Sequence, residues 1–163
     1  SSKVMIGAGF VLMFTVPLVR ILINSGVNAS GFDSMPIAMA NFVAHSVGDI
    51  YPFFAPMVGA LGAFISGSNT VSNMMLAQFQ FGVADALGIS TAFMVALQAV
   101  GAAAGNMIAI HNVVAASATV GLLDQEGETL RKTVIPTIYY CVVAGIIGLI
   151  GMYVLGLVDP LMK

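Results

Sequence analysis

Long uncharged stretches, separated by short polar segments, make up most of this chain. The stretches at 50–84 and 86–123 contain 35 and 38 residues without a charged side chain, and a third at 133–158 contains 26. A helix of about 20 apolar residues spans the ~30 Å hydrocarbon core of a bilayer. The pattern therefore predicts an all-α membrane protein with several helices in the bilayer.

The first predicted helix extends from about Val4 to Asn24, with Pro17 as a kink site. Arg20 lies near enough to its end for the guanidinium to reach the membrane surface. Polar residues at 24–34 then predict a loop outside the bilayer.

A short second helix is predicted from Pro36 to about Val47, because proline suits the first turn of a helix. It is short for a full span, and Asp49 and two nearby prolines interrupt it and begin the next segment. His45 and Asp49 are four positions apart and would share one face of a continuous helix. They are either a boundary pair near the water interface or members of a proton relay.

The run 50–84 is too long for one helix, since 35 residues would extend ~52 Å at ~1.5 Å per residue. Its centre, Ser66-Gly67-Ser68-Asn69-Thr70-Val71-Ser72-Asn73, concentrates hydrogen-bonding side chains. The flanks, Ile50–Ile65 and Met74–Ala84, are each too short to cross the bilayer alone. These lengths predict a re-entrant helical hairpin with its polar tip near mid-membrane.

The run 86–123 presents the same difficulty, because 38 residues would make a helix of ~57 Å. Its centre at 101–112 contains two glycines that favour unwinding, and Asn106, His111 and Asn112 can line an opening there. We interpret the run as one discontinuous transmembrane helix, broken in the middle.

A polar loop at 124–132 and a final helix, Thr133 to about Leu157, complete the predicted elements. The chain then divides into three regions. Two N-terminal helices occupy 1–48, the hairpin and the broken helix occupy 49–123, and the loop and the final helix occupy 124–163.

Composition excludes an ordinary soluble domain. Hydrophobic residues make up 59% of the chain and charged residues 7%, against ~25% charged residues in typical soluble domains, and the mean hydropathy is +1.01. A net charge of −2 without a basic cluster makes nucleic acid an unsuitable partner. Cys141 has no second thiol to pair with, and neither His45 nor His111 has a metal-ligand spacing. We expect no bound metal and no cofactor.

Two interrupted helices within a membrane predict a binding site between them. Unpaired amides cost several kcal/mol in hydrocarbon, so they persist only where protein or a wet cavity satisfies them. The N-terminus of a half-helix attracts an anion, by ~0.3–1 kcal/mol when exposed and up to ~2 kcal/mol when partly buried. Secondary transporters hold carboxylates and ions in this way.

The candidate substrate-binding residues surround the two breaks. They are Ser68, Asn69, Thr70, Asn73, Gly105, Asn106 and Asn112. The hydroxyls and amides of the first three either cap the next half-helix or bond a carboxylate directly. His111 is the candidate proton carrier, because imidazole changes charge near neutral pH and intramembrane ionisable groups mark transport pathways. Gln98 either faces the cavity or bridges helices.

Three long stretches of the sequence closely resemble the L-lactate permease family. They are 62–75, 96–108 and 111–122, with shorter matches at 126–127, 131–133 and 136–140, and the likeness covers about 50–158. Members of this family are longer polytopic proteins of the bacterial cytoplasmic membrane, so the chain is similar to their C-terminal part. The resemblance implies symport of lactate, and often glycolate, with a proton, by a transporter and not an enzyme. It implies that an N-terminal remainder supplies the other half of the site.

The Ser68-Asn69-Thr70 triplet is also similar to the hairpin-tip motif of the divalent anion/sodium symporters, where the triplet binds carboxylate and sodium. That relation implies an elevator-like moving domain and leaves sodium as an alternative coupling ion, whereas His111 favours the proton. Arg131 and Lys132 precede the final helix and Lys163 follows it, so charge bias predicts a cytoplasmic loop at 122–132.

Two other classes of function are less well supported. An intramembrane hydrolase using a serine with His111 lacks a Gly-x-Ser-x-Gly elbow, and no acid lies between Asp85 and Asp124 to orient the histidine. A passive channel needs a ring of selecting groups, which a chain of this length supplies only by oligomerising.

Overall fold

The computed structural model describes residue 13, residues 16–122 and 124–157, and residue 159. Within these residues all regular structure is helical and no strand occurs, which confirms the predicted all-α class. Helix α1 is Val16–Gly26, and its last three residues form a 3-10 turn. The start predicted near Val4 lies outside the described residues.

Helix α2, Met35–Val47, has a proline in its first turn and ends where the sequence predicts. A 3-10 turn at Gly48–Ile50 joins it to α3, Tyr51–Ser66. The resulting helical segment of 32 residues is long and apolar enough to cross a membrane. The interruption predicted at Asp49 is therefore a single turn, because Pro52 lies in the first turn of α3, where its missing N–H is not needed.

Helix α4 is Asn69–Leu87, so only Gly67 and Ser68 separate it from α3. The predicted eight-residue tip is too wide. Gly67 adopts the left-handed conformation with φ of +68°, which ends α3. The Ser68 hydroxyl accepts a hydrogen bond from the Val71 N–H at 3.3 Å, so the next helix begins at once.

Helices α3 and α4 form an antiparallel hairpin. The Ser72 hydroxyl donates to the Gly59 carbonyl at 2.9 Å, and two turns later the Gln80 amide donates to the Ala55 carbonyl at 3.3 Å. Residue numbers rise along α4 as they fall along α3, so the two helices run in opposite directions.

The second uncharged run also contains a short break between two helices. Helices α5, Thr91–Gly105, and α6, Ile110–Thr119, are bent by 44° across a break of four residues. At the other end of α5, the Asp159 carboxylate accepts a hydrogen bond from the Thr91 N–H at 2.7 Å. The positive end of the helix dipole stabilises the negative charge of a carboxylate at this position.

Helix α7, Glu126–Leu149, continues into a π-helical turn, Ile150–Val154, and the 29 residues can cross a membrane by length and composition. The loop predicted at 124–132 is wrong beyond its first two residues. Two glutamates in the first turn favour a helix N-terminus, and Glu128 pairs with Lys132 one turn later at 2.7 Å. The polar composition therefore belongs to an exposed helix end.

Helices α3 and α5 pack in parallel at close range. A Cβ atom at Gly101 would overlap the backbone of Pro56, and one at Gly105 would overlap that of Ala60. Because α4 is antiparallel to α3, the ends of α3 and α5 and the start of α4 lie at one end of the three-helix layer. Both breaks are therefore at that end.

Candidate functional site

The two breaks contact each other directly. Nε2 of His111, in the first turn of α6, lies 2.8 Å from the carbonyl oxygen of Gly67, the residue that ends α3. A carbonyl oxygen only accepts hydrogen bonds, so Nε2 carries the proton and donates it. In neutral imidazole this leaves the Nδ1 lone pair as an acceptor for another donor.

Glycine is required at position 67 for two reasons. Its φ of +68° is a conformation that residues with a side chain rarely adopt. A Cβ atom there would also overlap the imidazole of His111. The same residue thus ends α3 and makes room for the histidine of the other break.

The hairpin break presents the N-terminus of α4. Ser68 is its N-cap, so the capping interpretation holds for this residue, whose hydroxyl accepts from the Val71 N–H. Asn69 and Thr70 are the first two residues of the helix, where N–H groups have no partner within the helix itself. Thr70 is exposed and Asn69 is half-buried. The arrangement can bind an anion at these amides.

Asn69 and Asn73 form a ladder along the first turn of α4. The Asn73 Nδ2 group donates to Asn69 Oδ1 at 3.0 Å. Asn73 Oδ1 is buried and has no hydrogen-bond partner among the described residues. A buried acceptor without a donor is costly, and a ligand that donates a hydrogen bond would relieve that cost.

The second break contains Asn106 and Asn112. Asn112 Nδ2 donates to the backbone carbonyl of Asn106 at 3.2 Å and so satisfies a group at the end of α5. Asn106 Oδ1 is a second buried acceptor without a partner in the described part of the chain. Gly105 lies against the backbone of Ala60 in the α3–α5 contact, where its lack of a side chain permits close packing.

Gln98 bridges helices within a buried polar network. Its side chain accepts from Gln80 Nε2 at 3.0 Å and donates to the Ser72 hydroxyl at 3.2 Å. The Tyr51 hydroxyl donates to Gln80 Oε1 at 2.8 Å. Ser72, Gln80 and Gln98 are each 0% exposed, so the network that joins α3, α4 and α5 is shielded from bulk solvent.

Sequence reasoning missed Tyr51, Ser72 and Gln80 as members of this network. Ser72 and Gln80 are eight positions apart, which places them on one face of α4. That spacing within an uncharged run was the available signal. Ser72 also lies within one turn of Asn69, so the buried network anchors the same turn of α4 that carries the Asn69–Asn73 ladder.

His45 and Asp49 are both exposed on or beside α2. The Asp49 carboxylate interacts electrostatically with the Tyr153 hydroxyl of the π-helical turn. None of the hydrogen bonds of the described residues joins His45 to Asp49 or brings either residue to the two breaks. Arg20 is exposed, and its carbonyl accepts from Asn24 Nδ2 at 2.8 Å.

The described residues contain no group of three or more His, Cys, Asp or Glu side chains that could hold a metal ion. Cys141 is buried in an apolar contact, with its sulfur 3.7 Å from the Pro56 carbonyl. The groups present at the two breaks are backbone amides, hydroxyl and amide side chains, and the imidazole of His111.

Comparison with known proteins matches residues 1–155 to the L-lactate permease family. A relative from Haemophilus influenzae is 41% identical over 116 residues, which are 71% of this chain and 22% of that protein. The L-lactate permease of Salmonella typhi is 34% identical over 131 residues, 80% of this chain and 24% of the relative. Glycolate permease GlcA of Escherichia coli is 33% identical over 125 residues, 77% of this chain and 22% of the relative.

No solved structure matches the chain. The chain spans about a quarter of the length of the curated relatives it matches. The family match is wider than the likeness seen at 50–158, because it includes the first helices as well. Its extent and these identities establish that the chain belongs to the L-lactate permease family.

Proposed function

We propose that this chain is the C-terminal part of a transporter that carries lactate and glycolate, together with a proton, across the bacterial cytoplasmic membrane. Family membership supports this proposal, as do relatives named L-lactate permease and glycolate permease. The two apolar segments long enough to cross a bilayer support a location in the membrane.

The observation that carries the proposal is the contact between the two breaks. The 2.8 Å distance between His111 Nε2 and the Gly67 carbonyl brings a titratable side chain to the start of α4. An anion bound at the Asn69 and Thr70 amides would therefore lie close to a group that can take up a proton. The anion and the proton of a coupled transport reaction would then bind at the same site.

The electrostatics favour binding of the two partners together. A carboxylate at the N-terminus of α4 is stabilised by the helix dipole and by the free N–H groups. Protonation of His111 at Nδ1 gives an imidazolium, which attracts the carboxylate. The bound pair carries no net charge, so it moves through the membrane at a lower electrostatic cost than the anion alone.

In the complete transporter, the hairpin α3–α4 is re-entrant and α5–α6 is a discontinuous helix. An N-terminal remainder supplies a second hairpin and the other half of the site. The three-helix layer then moves as one body past a fixed scaffold, and the basic pair Arg131 and Lys132 lies on the cytoplasmic side.

Counterflow of labelled lactate tests the transport activity. The vesicles contain the complete permease of which this chain is a part. External unlabelled lactate should accelerate the exit of labelled lactate, which is the signature of alternating access. Equal exit with and without external lactate would contradict a carrier and favour a channel.

The His111→Gln variant tests proton coupling. Glutamine keeps an N–H donor for Gly67 but cannot bind a proton, so exchange should persist while proton-driven accumulation is lost. His45→Gln, at an exposed histidine, is the matched control. Accumulation that survives in the His111 variant and depends on a sodium gradient would identify sodium as the coupling ion.

A further inference from the structure

We infer that Asn73 selects 2-hydroxy acids by accepting a hydrogen bond from the 2-hydroxyl group of the substrate. This inference rests on the proposed function, because it concerns the carboxylate proposed to bind at the start of α4. It adds a specificity-determining residue and states which atom of the substrate that residue recognises.

The Asn69–Asn73 ladder fixes what each side chain offers to a ligand. Asn69 Oδ1 is occupied by the Asn73 amide group at 3.0 Å, so Asn69 offers its own N–H donors. Asn73 has used its Nδ2 group as the donor of that bond and offers Oδ1 as an acceptor. That oxygen is buried and unpartnered among the described residues.

The Asn69 donors and the Asn73 acceptor match the two functional groups of a 2-hydroxy carboxylate. A carboxylate only accepts hydrogen bonds, so it fits the Asn69 donors and the free amides of the first turn of α4. The hydroxyl on the adjacent carbon can donate, and Asn73, one turn further along the helix, supplies the acceptor. Lactate and glycolate, which appear in the names of the relatives, share this arrangement of groups.

Asn106 Oδ1 is also buried without a partner, but Asn73 is the better candidate. The bond to Asn69 holds the Asn73 amide in one orientation, so its oxygen is already in place before a ligand binds. Asn73 also lies on the same helix as the proposed carboxylate site, whereas Asn106 follows α5. Preorganised acceptors discriminate most strongly, because an analogue without the donor leaves them unpaired.

Competition for labelled lactate uptake tests this inference in the complete permease. The competitors are lactate, propionate, which lacks the 2-hydroxyl, and pyruvate, which has a 2-oxo group that cannot donate. In the wild type, propionate and pyruvate should inhibit at least about tenfold more weakly than lactate. In Asn73→Ala the lactate inhibition constant should rise about tenfold while that of propionate stays unchanged.

An unchanged propionate constant also shows that the variant is folded and keeps its carboxylate site. Should Asn73→Ala fail to fold, Asn73→Leu fills the same volume without polar atoms and replaces it. Asn24→Ala, at an exposed asparagine, is the control.

Three results would overturn the inference. The first is equal inhibition by lactate and propionate in the wild type. The second is an unchanged ratio of the lactate and propionate inhibition constants in the Asn73 variants. The third is that added sodium restores the affinity of the Asn73 variants for lactate. The last result would show that Asn73 Oδ1 binds a cation. If the wild type takes up no lactate at all, the proposed function fails instead.

Discussion

Replacing Gly67 by alanine separates the helix-ending role of this residue from its contact with His111. The structure offers a matched control in Gly88, which ends α4 just as Gly67 ends α3. Their φ angles are +68° and +66°, so alanine meets the same backbone strain at both positions. An added Cβ at Gly88 has no neighbour within 4 Å, whereas one at Gly67 would overlap the imidazole.

The expected costs follow from this difference. A left-handed alanine costs about 1–2 kcal/mol at either position. Only Gly67→Ala also displaces His111 and breaks its hydrogen bond to the Gly67 carbonyl, which contributes a further ~0.5–1.5 kcal/mol. Both variants should therefore be destabilised, and Gly67→Ala slightly more.

The transport assay should distinguish the two variants much more clearly than stability does. Thermal unfolding in detergent measures the stability of each, and vesicles measure proton-driven accumulation and counterflow of lactate. Gly88→Ala should accumulate lactate like the wild type, and Gly67→Ala should lose accumulation because His111 no longer joins the two breaks. Equal accumulation by the two variants would refute the functional role of this contact.

Two further predictions concern α4. Gln80→Leu should lower the free energy of unfolding by about 2–4 kcal/mol, because it leaves the Tyr51 hydroxyl and the Gln98 Oε1 atom buried without their hydrogen bonds to Gln80. Gln78→Leu, at an exposed glutamine of the same helix, should change it by less than ~0.5 kcal/mol, and equal effects on thermal unfolding would argue against the network. Asn69→Ala should weaken lactate binding by about tenfold through loss of a charge-assisted hydrogen bond. The exposed Asn24→Ala should not, and equal lactate affinities in the two variants would show that the polar triplet only begins a helix.

The hydrophobic pattern was sufficient to predict the helices and the places where they break. Charge-free runs too long for one span require interruptions, and the polar clusters at 66–73 and 101–112 marked both of them. The widths were overestimated because polarity does not measure backbone geometry. One left-handed glycine and one serine cap were enough to end α3 and begin α4.

The start of the final helix was misplaced for a related reason. Charged residues at 126–132 are typical of a loop in a membrane protein, yet they form the exposed first turns of α7. The spacing of Glu128 and Lys132 favours a helix through an i,i+4 pair, but this local preference is weak. Packing of the apolar remainder of α7 decided the outcome.

The sequence by itself determined that this chain is helical, belongs in a membrane and has a helix break in each of its two longest uncharged runs, because the bilayer imposes a length on every apolar segment. Only the tertiary structure decided that the two interruptions meet. The parallel packing of α3 on α5, made possible by Gly101 and Gly105, aligns their ends and brings His111 to Gly67. Contacts between residues far apart in the chain depend on how helix surfaces fit together, and no periodicity along the sequence records that fit.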